Sequence, residues 1–124
     1  MEAKKPTTRA MSDRHEQYIN NILGGRRTRN SGAVWSDPTD VRMDVREDRL
    51  AFAADGKSTL GQSITLKRED WDKLKDQAGD LTPIMPIRFY DTYRLDVGLD
   101  LWLMDDNTFV DMFETYVMYE DLKW

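Results

Sequence analysis

Residues 50–61 read LAFAADGKSTLG and pass from an apolar run to an acid, a glycine and a lysine. The apolar half has the length and composition of a buried strand. Alternate residues of an extended strand point to the same face, so we expect Lys57 beside Asp55 if the strand continues through Gly56. The stretch therefore predicts a buried strand that ends in opposite charges at a sheet edge.

The residues before this stretch predict a β-hairpin. Residues 40–45 (DVRMDV) and 49–55 (RLAFAAD) flank a charged turn. In an antiparallel pair one strand starts beside the end of the other, so the carboxylates of Asp40 and Asp55 are expected to be close. Together with the Gly56 carbonyl and water they are ligands that suit Mg²⁺ or Mn²⁺. A lysine there can orient an attacking water, and such a site suits phosphodiester hydrolysis.

Three further segments have helical periodicity, at residues 12–23, 67–78 and 107–119. We expect Ser12 to cap the first helix and Gly24 to end it, and Gly79 to end the second. Four aromatic residues lie at helical spacing and are expected in the core: Trp71, Phe109, Phe113 and Tyr116.

Besides the hairpin, short strands are predicted at residues 33–35, 62–66, 83–90 and 99–104. The resulting order is one helix, several strands, a helix, two strands and a helix. This order predicts an α/β fold of mixed (α+β) type, in which helices flank a central mixed β-sheet.

The chain has 124 residues, enough for one compact domain. Residues 1–11 are polar and predict a disordered tail, so the single domain is expected at 12–124. The absence of cysteine excludes thiolate metal sites, and a single histidine argues against a zinc centre built on imidazoles, so any metal must be held by oxygen. No apolar run could span a bilayer and no secretory signal precedes the domain, which predicts a cytoplasmic protein without a membrane partner.

Net charge is −5, but it is unevenly spread. The first thirty residues hold seven basic and three acidic side chains, whereas the last forty-four hold three and nine. A loop rich in glycine, serine and asparagine that carries arginines can bind phosphates through the guanidinium groups and through its backbone N–H groups. The residues expected to contact DNA are Arg26, Arg27, Arg29, Ser31 and Lys67.

Several segments, taken in order, resemble the small PD-(D/E)XK nucleases, and most closely the phage and archaeal Holliday-junction-resolvase-like endonucleases. They are Glu16 in the first helix, GGRRTRNSGAVW at 24–35, PTDV at 38–41, DGKST at 55–59 and SITLK at 63–67. The resemblance covers about residues 12–89. It implies a restriction-endonuclease-like core and a metal-dependent DNA endonuclease that acts as a homodimer on branched DNA. The implied setting is recombination or phage genome processing. A phage-encoded protein would act in the host cytoplasm.

The resemblance also implies roles for individual residues. The family's catalytic positions fall on Glu16, Asp40, Asp55 and Lys57. The family's metal-binding positions fall on Asp40, Asp55 and the Gly56 carbonyl. Glu16 is a further ligand, either directly or through a water molecule. Members of the family more often carry Glu-Cys-Lys where this chain has Asp-Gly-Lys, and the shorter acid either retunes the metal distance or weakens the site.

Each motif also has a common structural explanation. Asp40 can open a turn after a proline, Asp55-Gly56 is a frequent turn pair, and Lys57 can be a solvated residue after it. The arginines can be a solvated loop, and His15 is expected to be a partly exposed helix residue. The alternative function is therefore a non-catalytic DNA-binding or assembly module that keeps the nuclease fold.

Overall fold

The structure, a computed structural model, describes residues 3–24, 26–27, 41–42 and 52–123. Within these ranges the chain is a mixed α/β protein, as predicted. Its elements in chain order are α1 (Thr8–Leu23), β1 (Arg26–Arg27), β2 (Val41–Arg42), β3 (Phe52–Ala54), β4 (Lys57–Thr59), α2 (Arg68–Ala78), β5 (Thr82–Tyr90), β6 (Val97–Leu103) and α3 (Asp106–Lys123).

The strands form one mixed sheet in which β5 is central. Strands β1, β2 and β3 are antiparallel neighbours in this order. Helix α2 lies in the crossover connection that leads to β5, which pairs with β3 in parallel. Strand β4 pairs with β5 in parallel on the same side as β3, and β6 pairs with β5 antiparallel on the other side. The predicted hairpin is thus confirmed in its pairing of β2 with β3, and the central mixed sheet with flanking helices is confirmed.

Helices α1 and α2 cover opposite faces of the sheet. Ala54 packs against Ile19 of α1, whereas its neighbour Ala53 packs against Ala78 of α2. Successive strand residues point to opposite faces, so this pair marks the two covered sides. Both alanines are fully buried, which confirms a strand buried on both faces at this point.

Strands β3 and β4 are two parts of one extended segment, interrupted at Asp55 and Gly56. The register with β5 is the same on both sides of the break, so Gly56 lies opposite Pro86. The Asp55 N–H still donates to the Ile84 carbonyl at 3.1 Å. The next ladder bond would run from residue 86 to the Asp55 carbonyl, and proline has no N–H to donate. Pro86 therefore explains why the pairing lapses at these two residues.

The first helix starts earlier than predicted. Its N-cap is Thr7, whose hydroxyl accepts from the Ala10 N–H at 3.0 Å, and not Ser12. Residues 8–11, predicted as part of a disordered tail, are helical, and Met11 is buried. Helix α1 ends as expected at Gly24, which adopts a left-handed conformation with φ of 67°.

Other predictions were confirmed or corrected along the chain. Helix α2 and strands β5 and β6 lie where periodicity put them, and α2 ends at Gly79. Residues 62–66 form no strand, because the pairing with β5 is made by β4 before them. The predicted strand at 33–35 and the turn at 46–49 lie outside the described residues.

The last helix is confirmed, but its surroundings are not those expected. Phe109, Phe113 and Tyr116 are between 54% and 61% exposed, and Trp71 of α2 is half-buried. The prediction that they form core was wrong for the three aromatics of α3, because helical spacing shows that a face is apolar and not what covers it. Among the described helices, none combines the length and apolar character needed to cross a membrane.

Candidate functional site

Asp55 and Lys57 form an ion pair at the break between β3 and β4. The Lys57 ammonium lies 3.1 Å from Asp55 Oδ2, and both side chains are about one-third exposed. The predicted juxtaposition of these two residues is confirmed, because residues two apart in extended backbone share a face. The pair is reachable from solvent while anchored on a strand whose preceding residues are buried.

Gly56 lets α1 approach the backbone closely at this point. A Cβ at residue 56 would lie 2.8 Å from Ile19 Cδ1 and 3.1 Å from His15 Nδ1. Any side chain would force one of these groups to move. Helix α1 is therefore packed directly behind the Asp55–Lys57 pair, on the opposite face of the strand.

Glu16 is held by the same helix and is 6% exposed. One turn later, the Asn20 side-chain oxygen is buried and has no hydrogen-bond partner among the described residues. The helix also packs against β1 and β2. Glu16 therefore occupies a buried position on α1, whose neighbouring residues contact the strand break.

The second predicted acid, Asp40, lies outside the described residues. The described register pairs Val41, which follows Asp40 in sequence, with Ala54, which precedes Asp55. Among the described residues no three acidic or histidine side chains converge in a way that could hold a metal ion. Asp55 and the Gly56 carbonyl are nevertheless oxygen donors of the type that Mg²⁺ and Mn²⁺ accept, so the residues present fit such an ion in donor chemistry.

The predicted DNA-contacting residues are only partly described. Arg26 and Arg27 form β1, and Arg26 pairs with Arg42 of β2 through its backbone. Their side chains, as well as Arg29 and Ser31, lie outside the described residues. Lys67 precedes α2, is 63% exposed and has its ammonium 4.0 Å from a carboxylate oxygen of Glu69.

A buried polar cluster beneath α1 was not anticipated. Arg88 of β5 donates to both carboxylate oxygens of Asp100 on β6, through Nε at 2.7 Å and through Nη2 at 3.0 Å. The Arg88 side chain is only 7% exposed. Its guanidinium carbon also lies 4.4 Å from the centre of the Tyr18 ring on α1, a cation–π geometry. The pair thus links two strands to the helix that carries Glu16.

His15 belongs to this cluster, and the expectation that it is partly exposed was wrong. It is 2% exposed. Burial and, to a lesser extent, the positive charge of Arg88 lower the pKa of His15 to about 4, while Asp100 acts in the opposite direction. A histidine with this pKa is neutral at pH 7 and serves as a packing group against Gly56.

Aromatic side chains complete the contact between α1 and the sheet. The Tyr90 hydroxyl donates to the Met11 carbonyl at 2.8 Å, and the rings of Tyr18 and Trp102 lie 6.4 Å apart. One signal for this cluster was present in the sequence. Arg88 interrupts the otherwise apolar strand PIMPIRFY, and a charge in such a strand requires a buried partner.

Comparison of the chain with protein-family models, curated proteins and solved structures finds no match.

Proposed function

We propose that the chain is a metal-dependent endodeoxyribonuclease that hydrolyses phosphodiester bonds in branched DNA. The observation that carries the proposal is the Asp55–Lys57 pair, held 3.1 Å apart at the strand break. It rests further on the order of motifs that resemble PD-(D/E)XK nucleases. The restriction-endonuclease-like core stays a prediction within this proposal.

In the proposed site, each residue of the chain has a distinct task. The Asp55 carboxylate and the Gly56 carbonyl bind the divalent cation. Glu16 is the further acid that the resemblance implies, but α1 packs on the face of the strand opposite Asp55 and Lys57, so Glu16 is assigned no direct contact with the cation. The Lys57 ammonium orients the water that attacks the phosphorus atom. When bound, the cation would stabilise the negative charge that develops on the scissile phosphate and the leaving oxygen.

Asp40 is proposed as the second carboxylate of the site. If the β2–β3 register continues for one more residue pair, position 40 faces position 55, because Val41 pairs with Ala54. Two anionic ligands hold a strongly hydrated Mg²⁺ better than one, so both aspartates are needed.

Helix α1 gives the proposed site a rigid frame, because it packs directly against Gly56. This packing holds the strand in place where Pro86 withholds one ladder hydrogen bond. A side chain on a packed strand has less conformational freedom than one on a loop, so it loses less when it takes up its working position. This suits a group that must orient water.

Cleavage of a supercoiled plasmid and of a four-way DNA junction, with Mg²⁺ or Mn²⁺ added, tests the proposal. We expect the cation to be required, and Asp55→Asn or Asp40→Asn to lower the cleavage rate by at least about 100-fold. Asp55→Glu should retain activity, since it restores the acid more common in the resembling family. Asp72→Asn, at an exposed carboxylate on α2, is the matched control and should cut like the parent.

A separate binding assay distinguishes this proposal from its alternative. With Ca²⁺ in place of Mg²⁺, the protein should bind junction DNA, and Arg26→Ala or Arg27→Ala should each lower the slope of log affinity against log salt by about one. Glu114→Ala on α3 should leave that slope unchanged. Binding without cleavage under either cation would instead support the non-catalytic DNA-binding or assembly module.

A further inference from the structure

Helix α3 presents a broad apolar surface to solvent. Successive residues of a helix are turned by about 100°, so between residues 109 and 119 one arc of about 160° carries only apolar side chains. Two of their rings, those of Phe109 and Phe113, are stacked with their centroids 6.0 Å apart. The side chains of this arc, which we call the α3 apolar face, are between 39% and 63% exposed: Phe109, Met112, Phe113, Tyr116, Val117 and Tyr119.

Within the described residues, the chain holds α3 chiefly at its first turn. Asp105 Oδ1 accepts from the Thr108 N–H at 2.9 Å, and the Asp105 carbonyl accepts from the Phe109 N–H at 3.1 Å. Thr108 is buried, but every residue from Phe109 to Tyr119 is exposed. Helix α3 makes no extensive contact with another helix or strand of the described part of the chain. Large exposed apolar patches mark interaction sites, so the α3 apolar face indicates a docking surface.

The spacing of the α3 apolar face fits a second helix. Aromatic side chains supply a large contact area, and the flexible thioether of methionine adapts to the surface of a partner. An amphipathic helix can therefore lay its own apolar side along this face. Four residues of the face follow one another at intervals of three, four and three, the repeat with which two helices pack along a common seam: Phe109, Met112, Tyr116 and Tyr119.

Acidic side chains frame the α3 apolar face. Asp106 and Glu120 lie in the same angular sector, about one turn before its first residue and directly after its last. Glu114 and Asp121 lie along one of its edges. Residues 106–123 together contain five acidic side chains and one basic side chain. Helix stability does not account for Glu120 and Asp121, because the partial negative charge at a helix C-terminus disfavours acids in the last turn.

We propose that the α3 apolar face binds a basic amphipathic helix of another protein. The apolar side of that helix covers the face, and the lysine or arginine side chains beside it meet the framing acids. Opposite charges around an interface raise the association rate and reject partners of the wrong charge. The same acids oppose a second copy of this chain on the face, because two copies would bring like charges together. The proposal concerns α3 alone and does not rest on nuclease activity.

Two synthetic helical peptides of about 18 residues test the chemistry of the partner. Both carry leucine at the seam positions and alanine on the far side, and the flanking positions are all lysine in one peptide and all glutamate in the other. Fluorescence anisotropy of each labelled peptide, titrated with the full chain, measures the dissociation constant. We expect the lysine peptide to bind at least about 30-fold more tightly, and its affinity to fall as salt is raised to about 0.5 M. Equal binding of the two peptides, or binding of neither, would overturn the proposal.

Variants of the chain locate the binding on α3. Phe113→Ala should weaken binding of the lysine peptide by about 10-fold or more, and so should the double variant Glu120→Gln with Asp121→Asn. The matched controls are Ile22→Ala, at an exposed apolar residue of α1, and Asp72→Asn, at an exposed acid of α2. Both controls should bind the peptide as the parent does. Unchanged binding by the α3 variants, or an equal loss in the controls, would contradict the assignment to this face.

A fluorescent label maps which side of α3 the peptide covers. The chain has no cysteine, so Met112→Cys and Asp111→Cys can each be labelled at one position with an environment-sensitive dye. The lysine peptide should shift the emission of the label at residue 112, on the α3 apolar face, and leave that of the label at residue 111, on the opposite side, unchanged. Equal shifts at the two positions would count against the proposal.

Light scattering separates this partner from a second copy of the chain. The parent and Phe113→Ala should have the same mass in solution at every concentration, because no second copy lies on the α3 apolar face. A lower mass for the variant would assign the face to self-association and overturn the proposal.

Discussion

The two faces of strand β6 carry side chains in the opposite arrangement to the one that hydrophobicity alone predicts. On the face beneath α1, Asp100 is held against a buried arginine. On the other face, Leu99 and Leu101 are nearly half exposed. One strand thus carries a charged side chain inwards and apolar side chains outwards.

The difference teaches that the covering element, rather than the residue type, decides exposure. Helix α1 covers one face and supplies Tyr18 over the Arg88 guanidinium, so the charge there is surrounded and hydrogen-bonded. No described element covers the other face to the same extent. A charge is tolerated in the interior when it is paired and hydrogen-bonded, and an apolar side chain is buried only where another element covers it.

Removal of Asp100 should have the largest effect on stability. Asp100→Ala leaves the Arg88 guanidinium buried without its carboxylate, and we expect a loss of about 3–5 kcal/mol in the free energy of unfolding. Urea denaturation followed by circular dichroism measures this loss. The matched control is Asp72→Ala, which removes an exposed partner of Arg68 on α2 and should cost less than about 0.5 kcal/mol. Equal losses in the free energy of unfolding from the two variants would show that the buried Arg88–Asp100 pair contributes no more to stability than the exposed pair.

Acidification should act on the same covered face through His15. The pKa of His15 is lowered to about 4 in the folded state by burial and by Arg88, against an ordinary value of 6.5. The unfolded chain therefore gains a proton between pH 6.5 and 4 that the folded chain does not. Stability is full above pH 6.5 and should fall by up to about 3 kcal/mol as the pH approaches 4.

Denaturation midpoints measured from pH 7.5 down to 5 test this dependence before the carboxylates titrate. His15 is the only histidine in the chain, so His15→Gln should flatten the dependence in that range. A parent protein with no change between pH 7 and 5 would contradict the lowered pKa.

Substitution of Gly56 should destabilise the contact between α1 and the strand break. Gly56→Ala would bring a methyl group to 2.8 Å from Ile19 Cδ1, so we expect a cost of about 1–3 kcal/mol. Gly61→Ala is the control, because its added methyl group has no neighbour nearer than 3.3 Å. Thermal unfolding of both variants compares them, and a smaller loss for Gly56→Ala than for its control would argue against close packing here.

Truncation on the uncovered side should have the smallest effect. Phe113→Ala should change the free energy of unfolding by less than about 0.5 kcal/mol, because this ring is 54% exposed. Leu74→Ala, at a residue that is 2% exposed, should cost about 2–5 kcal/mol under the same conditions. A cost at Phe113 as large as that at Leu74 would contradict the exposure of this ring.

Much of the fold was predictable because its signals are local. Helix α2 follows from apolar spacing that ends at Gly79, and β5 from a run of apolar residues between turns. The start of α1 was not, since Thr7 and Ser12 are both good N-caps and the choice depends on burying Met11. The false strand at 62–66 shows the same limit, because β5 is already paired by β4.

For the candidate site, spacing alone predicted that Lys57 lies beside Asp55. Spacing could not predict that Pro86 stands opposite Gly56, because that depends on the register of strands thirty residues apart. The burial of His15 depends on the same packing, since its ring fills the space that Gly56 leaves open.

The sequence by itself determined the helices and strands with clear periodicity, the glycine that ends α1, and the shared face of Asp55 and Lys57. These follow from backbone geometry within a few residues. Only the tertiary structure decided that Arg88 meets Asp100, that α1 approaches Gly56, and that the apolar face of α3 stays uncovered. Such features depend on register and on which layer covers which face, and both are set by contacts between residues far apart in the chain.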